Sequence, residues 1–363
     1  MRFHQDSSQA AIVEATRLVT AGRPGEATAI LQRSLACPEE TIQSRSWKRS
    51  GGLREWLGRM APFTRTKPPP VQEPENGPGP GQFLSRSYRG EAGTRGYRLY
   101  VPSGYRGEPV PLIVMLHGCK QSPEDFAAGT RMNTHAEELA LLVAYPEQSA
   151  VANSSRCWNW FRPEDQQRGH GEPALIAGIT QRVMKDFAVD PARVYVAGLS
   201  AGGAAAAIMG STYADLYAAV GIHSGLACGA AQDVPSAFAV MRNGGRVRPV
   251  TGGVPLVPTI VFHGDQDGTV NPQNAEMILA QAAAGIALEK RIERDQVPGG
   301  HAYTRTRYID RSGAVLLESW VVHGEAHAWS GGTRDGSYTD PSGRDATREM
   351  LRFVGSHSLL SIK

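Results

Sequence analysis

From Phe83 onward, short apolar runs alternate with longer stretches in which apolar residues recur every three or four positions. The runs read as strands and the longer stretches as helices. Strands are expected at 98–101, which Pro102 ends, and at 112–116, 141–145, 194–198, 218–223, 259–263 and 314–322. Helices are expected near 131–140, over 174–187 behind Gly171-Glu172-Pro173, and over 201–213, 272–284 and 344–355. Leu112 to Leu116 is apolar without a break, as in a strand buried on both faces. Alternating strands and helices predict an α/β domain over 83–363: a mostly parallel sheet with helices on both faces. Functional side chains then belong at the carboxyl ends of the strands.

The first 82 residues follow another pattern. Residues 7–21 and 25–36 read as two short amphipathic helices, broken at Ala21-Gly22-Arg23-Pro24-Gly25. The stretch AGRPGEATAILQRSL resembles one helical-hairpin repeat, and a single repeat cannot bury its own apolar face. The N-terminal helical segment, residues 1–60, is therefore expected to dock, with homo-oligomer contact through its helices one outcome. Seven prolines between 62 and 80 make 61–82 an extended, semi-rigid linker.

Residues 194–203, VYVAGLSAGG, carry the strongest chemical signal. A strand meets a Gly-flanked turn, and a run of helix formers follows. That is the setting of a nucleophile elbow, with Ser200 at the apex of a G-x-S-x-G turn. A serine hydroxyl needs a base to take its proton and a carboxylate to orient that base. In α/β-hydrolases the acid and then the histidine follow the serine along the chain. The strand 259–263 runs into Gly264-Asp265-Gln266-Asp267, and two carboxylates compete there. Asp267 is preferred because it lies two residues further into the loop, whereas Asp265 at the strand end suits an Asx-type turn. Past the strand 314–322, His327 sits in a Gly/Ser-rich loop where the base is expected. His323 lies closer to the strand end, His301 precedes that strand, and His117 reads as a loop-packing residue. The oxyanion hole calls for two N–H donors. Ala201 supplies one, and Cys119, after the strand 112–116 and His117-Gly118, supplies the other.

With those residues in place, the chain resembles the poly(3-hydroxybutyrate) depolymerase family of esterases, in the subgroup where Ser, Asp and His follow in ordinary order and not in the circularly permuted one. The resemblance spans about 84–355. It rests on LHGC (116–119), CWNWF (157–161), RGHGEPA (168–174), GLSAGG (198–203), HGDQDGTV (263–270), HAWSGG (327–332) and SYTDPSGRDATREMLRF (337–353). It implies an α/β-hydrolase fold and a serine esterase with Ser200 as nucleophile, Asp267 as acid and His327 as base. It implies substrates among short aliphatic esters and hydroxyalkanoate oligomers; the acyl-enzyme chemistry expected of Ser200, His327 and Asp267 needs no metal or other cofactor. It also places the CWNWF aromatics near the cleft. Large aromatics in a loop either fill core or line an apolar site. Trp158 and Trp160 are thus the candidates for substrate contact, one buried and one facing substrate. The rival enzyme reading is an acetyl xylan or feruloyl-type carbohydrate esterase. The rival outside enzymes is a non-catalytic hydrolase-like docking protein, against which the complete Ser/Asp/His set argues.

Charge and cysteines narrow the picture further. Residues 1–82 hold 11 Lys/Arg against 8 Asp/Glu, and the remainder holds 27 of each. The catalytic region has no net charge to attract nucleic acid. No run approaches the ~18 apolar residues of a membrane span. The four cysteines have no metal-ligand spacing. Cys119 and Cys157 both lie in motif stretches; they pair in an oxidising compartment and stay free thiols in a reducing one. The first residues contain no apolar signal core, which reads as cytoplasmic; the alternative is an extracellular protein, like many family relatives. Lys363 follows the last expected helix closely, so soluble or amorphous polyester is the expected polymer form.

Overall fold

The computed structural model describes residues 81–245, 256–283 and 286–359. The expected N-terminal helices and the linker up to residue 80 lie outside the described residues.

One sheet organises the described chain. Its strands are β1 (Gln82–Gly90), β2 (Gly93–Val101), β3 (Val110–Leu116), β4 (Leu142–Pro146), β5 (Val189–Leu199), β6 (Ala219–His223), β7 (Thr259–Gly264), β8 (Glu289–Gln296), β9 (Ala302–Ile309) and β10 (Val315–Val322). They lie in the order β1-β2-β4-β3-β5-β6-β7-β10-β9-β8. The middle run from β4 to β10 is parallel throughout. Antiparallel pairs flank it at both edges.

Strand side chains alternate between faces, and the core divides accordingly. Leu112, Val114 and Leu116 of β3 join one apolar cluster, while Ile113 and Met115 join the other. The first cluster takes in residues of α3 (Gly171–Asp186), α4 (Ala201–Thr212), α5 (Val234–Asn243) and α6 (Gln273–Ala282). The second takes in α1 (Pro123–Thr130), α2 (Met132–Leu139) and α7 (Ala346–Val354). Helices therefore cover both faces, as the strand–helix alternation predicts. Asp345 caps α7 by accepting from Arg348 N at 2.9 Å. Among the described residues no helix is long and apolar enough to cross a membrane.

The differences from expectation lie at the sheet edges and in two short helices. β1, β8 and β9 are absent from the sequence reading, as are α1 and α5. Every residue of β8, EKRIERDQ, is exposed, so it lacks the buried face that makes alternation visible. Ladder hydrogen bonds and the turn from β8 to β9 define it instead. β5 also begins earlier than its apolar run, at Val189, because its first residues pair with the start of β3.

Candidate active site

The site is built at the carboxyl ends of β3, β5, β6, β7 and β10. β5 stops at Leu199 and α4 starts at Ala201, leaving Ser200 between them with φ 56° and ψ −119°. A non-Gly residue in such a region costs on the order of 1–3 kcal/mol and persists only where its surroundings enforce it. The enforcing contacts are visible. The Ser200 N–H donates to His223 O at 2.9 Å. A Cβ on Gly202 would lie 2.0 Å from Leu116 O, and one on Gly198 would lie 2.3 Å from Gly202 O. Only glycine permits the elbow to press against the end of β3. The first N–H groups of α4, beginning with Ala201, have no partner within the helix and carry its positive dipole end.

The same contact brings His117-Gly118-Cys119 alongside the elbow. Five connections pin this loop. Cys119 and Cys157 form a disulfide. Lys120 N donates to Ser155 O at 2.7 Å. Trp158 Nε1 donates to His117 O at 3.0 Å. Gln148 N donates to His117 Nε2 at 3.1 Å, and Gly118 N donates to Gln121 Oε1 at 2.9 Å. Nδ1 of His117 lies 2.7 Å from Gly118 O and serves as its donor. Burial pushes His117 down to about 4, in keeping with a neutral ring that both donates and accepts. His117 thus packs the loop.

A buried polar network stands behind it. The Glu172 carboxyl accepts from Asn159 N at 2.7 Å, from Asn159 Nδ2 at 2.8 Å and from Gln148 Nε2. Gln148 Nε2 also donates to Cys157 O at 2.8 Å. Burial and the neighbouring Asp165, resisted by those hydrogen bonds, push Glu172 up to about 7. Trp158 belongs to this support: it is 0 % exposed and its indole N–H is spent on His117. Both tryptophans of the expected pair are buried in the same apolar cluster, Trp158 completely. Trp160, 6 % exposed, packs edge-on to Phe161 within the cluster that includes Ala201 and Leu226.

Beyond β7, Asp267 Oδ2 lies 2.7 Å from His327 Nδ1. Asp267 Oδ1 accepts from Thr269 N at 2.9 Å and Val270 N at 2.8 Å. His263 Nε2 stands 3.3 Å from Asp267 Oδ2. Burial would raise this carboxyl, but hydrogen bonds from His263 and His327 outweigh it and hold Asp267 well below the usual carboxylate range. The other candidates separate from this pair. Asp265 Oδ2 meets His323 Nδ1 at 2.8 Å and Asp265 Oδ1 accepts from Gly324 N at 2.7 Å. His301 Nε2 meets Asp340 Oδ2 at 2.9 Å.

His223 at the end of β6 was missed by the sequence reading. Its carbonyl holds the Ser200 N–H, its Nε2 accepts from Ser330 N at 3.0 Å, and its ring stacks on Trp329. It joins the elbow to the loop that carries His327. Burial drives His223 well below its ordinary value, so it stays neutral. Its position at a strand end was the available signal. Among the described residues, no group of three or more His, Cys, Asp or Glu is placed to hold a metal ion.

Residues 95–288 match the family model described as Esterase PHB depolymerase. The chain belongs to this family of esterases. Among PHB depolymerase relatives, it is 31 % identical over 242 residues to poly(3-hydroxyalkanoate) depolymerase C of Paucimonas lemoignei. That match covers 63 % of this chain and 57 % of the relative. It is 30 % identical over 248 residues to feruloyl esterase B of Thermothelomyces thermophilus, covering 63 % of this chain and 82 % of the relative. The chain thus spans little more than half the length of the depolymerase. In three dimensions it resembles an acetyl xylan esterase from Aspergillus awamori, with a TM-score of 0.59 at 18 % identity. That likeness covers 76 % of this chain and 99 % of the other, and it shows the α/β-hydrolase fold.

Proposed function

We propose that the chain is a serine esterase that works through an acyl-enzyme, with Ser200 as nucleophile, His327 as base and Asp267 as the acid that orients it. The observation that carries this reading is the strained Ser200 at the elbow together with the Asp267–His327 pair on a loop tied to the elbow through His223. Asp267 accepts from Nδ1 of His327, which leaves Nε2 with a free lone pair. Nε2 takes the Ser200 proton as Oγ attacks the ester carbonyl. The N–H groups of Ala201 and Cys119 stabilise the oxyanion. As the intermediate collapses, His327 returns the proton to the departing alcohol. Water, activated by the same histidine, then releases the acid and restores Ser200.

The substrates proposed are short aliphatic esters and hydroxyalkanoate oligomers or amorphous polyester, with Trp160 the tryptophan that contacts them. The depolymerase relative supports this choice. A second reading, acetyl or feruloyl esters on polysaccharide, is favoured by the feruloyl esterase, which is matched over 82 % of its length. The Cys119–Cys157 bond supports work in an oxidising compartment over the cytoplasmic reading. A hydrolysis panel decides the substrate class: p-nitrophenyl esters, hydroxybutyrate oligomers, and acetylated and feruloylated xylan. The value of kcat/KM for the oligomers is expected to exceed that for either xylan by at least about tenfold. The reverse order establishes the second reading.

A further inference from the structure

Two residues before His327, Glu325 is completely buried, and neither of its carboxyl oxygens has a hydrogen-bond partner. The Ser330 hydroxyl is close without meeting hydrogen-bond geometry, and its Oγ is equally unpartnered. Both groups face Gly343: a Cβ there would lie 2.1 Å from Ser330 Oγ and 3.1 Å from Glu325 Oε2. The charged neighbours on the packed elements are carboxylates, Asp267 after β7 and Asp340 of the short strand Thr339–Asp340. Behind them stand His263, paired with Asp267, and His301, paired with Asp340. Among the described residues no cation pairs with Glu325. The backbone of this residue is wedged as tightly as its side chain. Its carbonyl accepts from Gln266 N at 3.0 Å, and a Cβ on Gly264 would lie 2.3 Å from it.

A buried carboxylate with only one poorly placed hydroxyl beside it and two like charges nearby costs far more than the neutral acid. We propose that Glu325 is a positioning residue for the His327 loop that serves only as the neutral acid, and that its ionisation displaces the loop and switches hydrolysis off. Asp267 and Glu325 are then neighbouring carboxyls with opposite assignments. Asp267 is kept ionised by its histidines and amide donors, and Glu325 is kept protonated by their absence. Burial, resisted by the Ser330 hydroxyl and aided by Asp340 and Asp267, pushes Glu325 up to about 8. Once charged, it is repelled by both carboxylates. With its carbonyl locked against Gly264, the movement passes along the loop to His327, which loses its alignment on Asp267.

The inference rests on the Ser200, Asp267 and His327 reading. Ser200-dependent turnover at pH 7 tests that reading, whereas the alkaline limb tests this one. The experiment is the pH profile of kcat on a small soluble ester for the full chain and its Glu325→Gln and Glu325→Met variants. Gln keeps the shape of the neutral acid, and Met removes the ionisable group if Gln disturbs folding. Wild-type kcat is expected to fall about tenfold per pH unit above about 8, and to recover on return to pH 7. The variants are expected to hold their plateau to about pH 9.5. A merely structural role lowers kcat at every pH and leaves the limb where it was. A wild-type profile flat to about pH 9.5, or the same limb in a variant, overturns the proposal.

Discussion

The carboxylate of Asp267 lies 2.7 Å from Nδ1 of His327, and no part of its side chain reaches solvent. The two residues are 60 positions apart in sequence, on loops that follow β7 and β10, which are parallel neighbours in the sheet. Asp267→Asn is expected to turn the histidine toward the wrong tautomer and to reduce kcat on the order of 10⁴-fold. Retention of more than a tenth of wild-type kcat in a folded variant contradicts the pairing.

The same carboxylate links stability to pH. Its folded value lies below its unfolded one, so its contribution is fully present above the unfolded carboxylate range. It is lost as pH falls below about 4 toward the folded value. Thermal melts of wild type and Asp267→Asn between about pH 3 and 7 are the check. The Tm difference should be largest near neutrality and shrink with acidification. A difference that grows as pH falls has the wrong sign.

The tryptophans of CWNWF should behave differently from one another. Trp158 is closed in and holds His117. Its replacement by Ala is expected to lower stability by about 3–5 kcal/mol, read by denaturant unfolding. Trp160→Ala is expected to raise KM for hydroxybutyrate oligomers more than for p-nitrophenyl acetate. The longer substrate covers more apolar wall, at about 25 cal/mol per Å². Equal effects on both substrates would assign Trp160 to the fold alone.

How much of this was legible depended on which residues faced the core. β3, β5, β7 and β10 announced themselves because apolar side chains cover one or both faces. The elbow was legible because Gly198 and Gly202 leave no alternative at the end of β3. β8 was invisible because its side chains all reach water. His223 and Glu325 were invisible for another reason. Their roles come from neighbours distant in sequence, Ser200 and Ser330 for one, Asp340 and Gly343 for the other. The resemblance placed Trp158 and Trp160 near the cleft, but only packing shows that both are buried, Trp158 with its indole N–H held by His117 O.

The tightness of the elbow can be tested without touching a reactive group. Gly202→Ala places a methyl group 2.0 Å from Leu116 O. Its cost is expected to reach or exceed the ~1–3 kcal/mol usual for overpacking, with loss of turnover. Gly104→Ala, where a Cβ meets nothing within 4 Å, is the matched control and should stay within about 0.5 kcal/mol. Comparable melts for the two variants would show that the elbow is not held as described.

The claim on which the rest depends is that Ser200 performs the chemistry. The direct measurement is kcat for a p-nitrophenyl ester with purified wild type and Ser200→Ala, alongside circular dichroism to show that the variant is folded. The residues of a Ser/His/Asp triad act as a unit, so the proposed triad predicts a loss on the order of 10⁴-fold or more with an unchanged fold. A folded Ser200→Ala variant that turns over near the wild-type rate would contradict the account.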